Sequence, residues 1–156
     1  MKSVRFVFIG ILLFIGSNIF AQPKPNIILI LADDLGYGDL SSFGHPIIQS
    51  PNLDALAKDG IKFTSFYSAA PVCSPARAGL LTGRSPNRAG IYDYIRSAGG
   101  PLDECLDLVH LQADEQTVPA MLKEVGYSTC LAGKWHLNSK FNSEAQTTLG
   151  DFGFAH

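Results

Sequence analysis

Asn26-Ile27-Ile28-Leu29-Ile30-Leu31-Ala32, followed at once by Asp33-Asp34-Leu35-Gly36-Tyr37-Gly38-Asp39, is the stretch on which the fold reading turns. Its aliphatic residues do not alternate with polar ones, so a strand made from them offers neither face to water. That is the pattern of a strand in a parallel sheet covered by helices on both sides. The run then breaks into two aspartates and two glycines, which puts both carboxylates at the strand's carboxyl end. Ligand sites of open α/β sheets collect outside those ends.

Outward from this stretch, helix and strand signals alternate. Ser50-Pro51-Asn52-Leu53-Asp54-Ala55-Leu56-Ala57-Lys58-Asp59-Gly60 has a Ser N-cap, Pro at the first helical position, apolar Leu53, Leu56 and Ala57, and Gly60 as a stop. Residues 61–67 read as a strand. A second helix starts around Ser74-Pro75, runs to Leu81 and stops at Gly83. A third covers 117–125, with Thr117 as N-cap, apolar Val118, Met121, Leu122 and Val125, and Gly126 after it. Residues 127–131 read as a strand leading into Ala132-Gly133-Lys134-Trp135-His136, and 97–116 as a loop. The expectation is an α/β fold, a mostly parallel sheet flanked by helices. Lys134 and His136, like the aspartates, then follow the end of a strand.

The opening residues stand apart. Lys2 and Arg5 precede an apolar run from Phe6 to Ile15, and the segment turns more polar before Ala21. Residues 1–21 therefore read as a secretory signal peptide, because the run is shorter than the roughly 20 residues a membrane span needs and no charged stop-transfer cluster follows. The expected location is periplasmic or secreted, without a stable membrane anchor. Without Lys2 and Arg5, ten basic residues face 14 acidic ones, a formal charge of −4. No basic stripe is present, which argues against a nucleic-acid partner. Cys73, Cys105 and Cys130 are an odd number for an exported chain, so at least one thiol stays outside any internal pair. Cys105 and Cys130 either pair or are small buried residues.

Adjacent aspartates can simply close a turn. They can also hold a hard divalent cation, which removes the repulsion between two close carboxylates. Neighbours on an extended strand point to opposite faces, so both reach one ion only if the backbone turns there. A sharper pattern is Cys73-Ser74-Pro75-Ala76-Arg77-Ala78-Gly79-Leu80-Leu81-Thr82-Gly83-Arg84. It sets a Cys at the start of a helix, where free N–H groups and the helix dipole favour negative charge, with Arg77 one turn on. The bland alternative is a buried Cys beside a solvated Arg; for Lys134-Trp135-His136 it is a surface edge with Trp135 buried. Asp39, His45, Arg88 and Asp93 read as solvated or structural, and Arg84 as a supporting ion-pair partner. His110 and His156 have no partner that the sequence names.

The Cys73-x-Pro75-x-Arg77 pattern with its continuation to Arg84 resembles the signature of type I sulfatases, the formylglycine-dependent arylsulfatase family within the alkaline phosphatase superfamily. Three further segments resemble that family in order: 25–36, 50–54 and 126–137. The resemblance implies oxidation of Cys73 to formylglycine by a maturation enzyme. It implies calcium, or else magnesium, on Asp33, Asp34 and an oxygen of residue 73, with calcium preferred because it accepts more ligands. It also implies that Arg77 holds the hydrated aldehyde, that Lys134 contacts it and the sulfate, and that His136 orients it or takes its second proton. The implied reaction is hydrolysis of a sulfate ester, with a sulfated glycan as one substrate class. Phosphonate monoester or phosphodiester hydrolysis is the alternative within the superfamily, and a non-catalytic exported binding protein the alternative outside it. The resemblance also implies that residues 22–156 are the N-terminal part of a longer catalytic domain, expected to be inactive alone.

Overall fold

The structure is a computed structural model that describes residues 23–96, 109–140 and 143–156. The expected signal peptide, Cys105 and residues 97–108 of the expected loop lie outside them. The chain divides into two units, 1–32 and 33–156.

In the first unit residues 23–32 form neither helix nor strand, and Ile28 and Ile30 are 84% and 79% exposed. The expected strand at 26–32 is therefore corrected. A strand exists only through ladder partners, and the described residues supply no backbone hydrogen bond to this run. In the second unit 61–67 is not a strand either; Ile61 and Tyr67 are exposed, and the rings of Phe63 and Phe66 lie 5.8 Å apart. Residues 127–131 come nearer to pairing. The N–H of Leu131 donates to the His156 carbonyl and that of Ala155 to the Thr129 carbonyl, both at 2.9 Å. The two bonds advance two residues on one side and one on the other, so no regular ladder forms. The described residues thus contain the expected helices and no strand.

Helix α1 spans Pro51–Asp59 and ends at Gly60. Ser50 holds the N-cap position without capping: its hydroxyl donates to Asp54 Oδ1 (2.8 Å) and lies 2.8 Å from Ser41 Oγ. Asp54 also accepts from Ser41 Oγ (2.5 Å) and Ser42 N–H (2.8 Å), which ties α1 to the 3-10 helix Ser41–Phe43. Helix α2 spans Cys73–Thr82, one residue earlier than the sequence predicts, so Cys73 itself is the first helical residue. Pro75 fits in that first turn because its missing N–H would have no helical acceptor there. Gly83, at φ +65°, closes α2 with a 2.9 Å bond to the Gly79 carbonyl. Helix α3 spans Val118–Glu124 and packs on α2. Its N-cap is the predicted Thr117, whose fully buried hydroxyl accepts from the Ala120 N–H and donates to the Phe152 carbonyl at 2.8 Å.

The core gathers Ala78 of α2 with Ile91, Ile95, Leu111, Trp135, Leu137 and Phe152. Trp135 lies 5.2 Å from Phe152 and 6.1 Å from Phe154, ring centre to ring centre. Burying a side chain the size of Phe152 completely stabilises the fold by roughly 2–3 kcal/mol. The core thereby pins Trp135, and Trp135 pins the two residues beside it, Lys134 and His136. No helix among the described residues is long and apolar enough to cross a membrane.

Candidate active site

Three separate segments of the second unit meet at the start of α2. Cys73 is the first residue of that helix and is partly buried. Lys134 brings its Nζ to 3.5 Å from Cys73 Sγ and to 2.8 Å from Asp33 Oδ2. Arg77, with an 11% exposed side chain, donates from NH2 to Asp33 Oδ1 (2.9 Å) and from NH1 to the Lys134 carbonyl (2.7 Å). Both oxygens of Asp33 thus face cations. The Lys134 ammonium first, and then the Arg77 guanidinium, hold the Asp33 carboxyl below its usual range. Asp33 in turn, with Cys73 contributing less, pushes the Lys134 ammonium above its usual value.

The turn needed for both aspartates to face one point is present. Asp34 sits at φ +58°, a left-handed conformation that Asp tolerates better than most residues. Asp39 helps close the following loop, accepting from Gly36 N–H at 2.6 Å while its own N–H donates to the Gly36 carbonyl at 3.1 Å. As a result a carboxylate oxygen from each of Asp33 and Asp34, and Sγ of Cys73, lie within 4.8 Å of one another. Donors at such separations can share one ion at the 2.3–2.6 Å typical of calcium–oxygen bonds. Two hard carboxylates and one soft sulfur are a mixed set for calcium or magnesium. The same position carrying oxygen would suit either better.

His136 is also left-handed, at φ +58°. Its Nε2 lies 2.8 Å from the Ile95 carbonyl, its ring meets that of Tyr94 edge to face at 5.1 Å, and its Nδ1 is buried without a hydrogen-bond partner. The structure therefore joins Asp33, Asp34, Cys73, Arg77 and Lys134 directly, and engages His136 with residues 94–95. Arg84 is an ion-pair partner as expected, to Glu115 (2.5 Å), and also donates to the Arg88 carbonyl (3.2 Å). His45 accepts from the N–H groups of Ile47 and Ile48, and Asp93 from that of Tyr94, both local turn contacts. Cys130 is an exposed free thiol. Asp39 takes a structural role, as the sequence reading allowed, whereas Tyr94 and Ile95 were missed, because a backbone carbonyl such as that of Ile95 leaves no trace in residue type.

A cationic corner beside a nucleophilic atom at a helix N-terminus is suited to a tetrahedral anion. Comparison with known proteins agrees with this. The sulfatase family model matches residues 25–156. Arylsulfatase A of Bos taurus is 48% identical over 128 residues, which cover 80% of this chain and 23% of that protein. The solved structure of Ps i-CgsB in complex with k-i-k-neocarrahexaose superposes with a TM-score of 0.73 at 37% identity, covering 85% of this chain and 27% of that one. A further structure, bound to its substrate D-glucosamine-2-N,6-O-disulfate, gives 0.65 at 34% identity, covering 86% of this chain and 22% of that one. These structural neighbours share the alkaline phosphatase-like fold. The chain spans about a quarter of the length of the curated relatives it matches. With the family model matched along all of the sequence after residue 24, the chain belongs to the sulfatase family.

Proposed function

We propose that this chain supplies part of the active site of a sulfatase that hydrolyses sulfate monoesters to an alcohol and sulfate, with residue 73 as the nucleophile. The observation that carries this reading is the convergence of Lys134, Arg77 and two aspartates on the side of α2 where Cys73 begins it. Oxidised to formylglycine by a maturation enzyme and hydrated, residue 73 supplies a hydroxyl nucleophile and a second hydroxyl through which sulfate can be released. Asp33, Asp34 and the oxygen of residue 73 would hold calcium or magnesium, which would supply positive charge to the sulfate.

The chain's own residues provide the rest. Lys134 Nζ sits between Asp33 and residue 73, where it can bind a sulfate oxygen and the nucleophilic oxygen together. Arg77 locks the Asp33 carboxylate to the Lys134 main chain, so these groups keep their spacing as substrate arrives. His136, with an unpaired Nδ1, can hold the proton released from residue 73. A sulfated glycan is the proposed substrate class, because two neighbours are solved with neocarrahexaose and a glucosamine disulfate. Residues 1–21 are proposed to direct export to the periplasm or beyond.

The test combines chemistry and turnover. When the complete protein is produced with a sulfatase-maturation enzyme, mass spectrometry of the peptide containing Cys73 should show the aldehyde or its hydrate, and Cys73→Ala should abolish sulfate-ester hydrolysis while leaving the protein folded. An intact thiol in an active preparation would refute the reading.

A further inference from the structure

We infer that Ser74 and the main chain of Ile95 form a positioning relay that holds His136 in the tautomer with Nε2 protonated and Nδ1 free to accept a proton. Its catalytic meaning rests on the sulfate-ester reading above; its geometry does not. Ser74 follows Cys73 in α2 and is fully buried. Its Oγ accepts a 3.1 Å hydrogen bond from the N–H of Ile95, inside the protein. Ile95 is itself 1% exposed and part of the core, so its peptide groups cannot drift independently of α2. Two atoms on, the Ile95 carbonyl lies 2.8 Å from His136 Nε2.

A carbonyl can only accept, so Nε2 must carry the hydrogen. In a neutral imidazole that leaves the lone pair on Nδ1, the nitrogen that is buried without a partner. Two further features resist reorientation. The Tyr94 ring stands edge to face against the imidazole, and the His136 backbone is kept at φ +58°, which a non-glycine residue holds only where its surroundings impose it. The hydroxyl beside the nucleophile is therefore connected through one residue, by the N–H and the C=O of Ile95, to the ring nitrogen opposite the proposed base atom. Ser74 touches neither substrate nor reacting atoms in this scheme; it sets the distance and tautomer of a residue that does.

The experiment uses the complete protein with 15N-labelled histidine. Long-range proton–nitrogen spectra report which ring nitrogen is protonated, and His136→Gln identifies the His136 signals. The wild type should show Nε2 protonated and Nδ1 bare. Ser74→Ala should show a mixture of tautomers and a kcat lower by roughly 10-fold, with KM within about 2-fold, the size typical of losing a group that orients an active-site histidine. Rates are normalised to the formylglycine content of the Cys73 peptide, and Ser74→Thr, which keeps the hydroxyl, should restore both readouts. If Ser74→Ala does not fold, Ser74→Cys, with a weaker acceptor of similar size, should show the same tautomer mixing. An Nδ1-protonated His136 in the wild type, or wild-type tautomer and kcat in the folded variant lacking the hydroxyl, would overturn the relay. Absence of sulfate-ester hydrolysis in the wild type would instead refute the function reading, and the spectra would still decide the relay.

Discussion

Replacing Gly153 with alanine should loosen the aromatic support beneath Lys134 and His136, and the size of the effect can be worked from the backbone. Gly153 sits at φ +91°, and a Cβ there would lie 2.5 Å from both Cα and N of Ala120 and 2.7 Å from the carbonyl carbon of Pro119. Those atoms are main chain of the first turn of α3, so no flexible side chain can give way. Forcing a non-glycine residue into this conformation costs about 1–3 kcal/mol. Moving packed backbone to relieve the overlap costs about 1–3 kcal/mol more. A loss of roughly 2–6 kcal/mol corresponds to a Tm lower by roughly 5–20 °C for a chain of this length.

The consequence reaches the site because Phe152 and Phe154, on either side of Gly153, both pack on Trp135. The hydroxyls of Thr117 and Thr129 also bond the carbonyls of Phe152 and Gly153. Thermal unfolding followed by circular dichroism is the assay, with Gly150→Ala as control. A Cβ at Gly150 would meet only Thr148 Oγ1, at an ordinary 3.5 Å. The control should be neutral or stabilising by up to about 1 kcal/mol. A Gly153→Ala protein melting within about 2 °C of wild type would refute the reasoning.

Arg84→Ala should cost about 1–3 kcal/mol in chemical denaturation, below the range for a fully buried pair because Arg84 is half exposed, while Glu115 is left buried and unpaired. Adding Glu115→Gln should recover part of that loss. Hydrogen bonds from the Thr148 backbone, and then from its hydroxyl, lower the Asp151 carboxyl from its ordinary 3.8, so its contribution to stability is present above that value and disappears as pH falls through the depressed one. The Tm gap between wild type and Asp151→Asn should accordingly be small but measurable at neutral pH and close below about pH 3.8; a gap that widens in acid would contradict this sign. Exhaustive chelation should abolish sulfate-ester hydrolysis and calcium or magnesium should restore it, whereas indifference to chelation would remove Asp33 and Asp34 from the proposed chemistry. Arg77→Lys keeps the charge and should still lower kcat/KM on the order of 100-fold, the loss expected from a displacement of about 1 Å.

The helices were legible because their signals are local. Pro51 and Gly60, Pro75 and Gly83, and Thr117 and Gly126 bracket α1, α2 and α3 with residues whose own backbone preferences start or stop a helix. Strand readings at 26–32, 61–67 and 127–131 failed as descriptions of the structure for the complementary reason. Their aliphatic runs state a need for burial on two faces, but a ladder is made by partners elsewhere in the chain. The half-ladder of Thr129 and Leu131 with 155–156 shows how one residue of offset prevents it. At the site, residue type announced Asp33, Asp34, Cys73, Arg77 and Lys134, although the Asp33–Lys134 contact spans 101 residues. It could not announce the carbonyls of Ile95 and Lys134, which any residue would carry.

Those carbonyls explain why charge alone does not account for Arg77. A lysine at 77 could neutralise Asp33, but an ammonium is a point charge on a flexible stem. The guanidinium is a planar fork, and here its two terminal nitrogens serve different segments, NH2 the Asp33 carboxylate and NH1 the Lys134 main chain. Because the fork is rigid, fixing α2 fixes the separation between the 33–34 turn and the 134–136 segment. Trp135 anchors the latter from below through Phe152, so Lys134 is held by its carbonyl above and its neighbour's ring beneath. Its ammonium is then left with little to choose except Asp33 and residue 73, the two groups it touches. Two aspartates and two cations balance locally, which lets the corner assemble with no sheet among the described residues and with most of its groups exposed to water. Most of the site's geometry is thus set by one helix, one buried tryptophan and the two-pronged side chain between them.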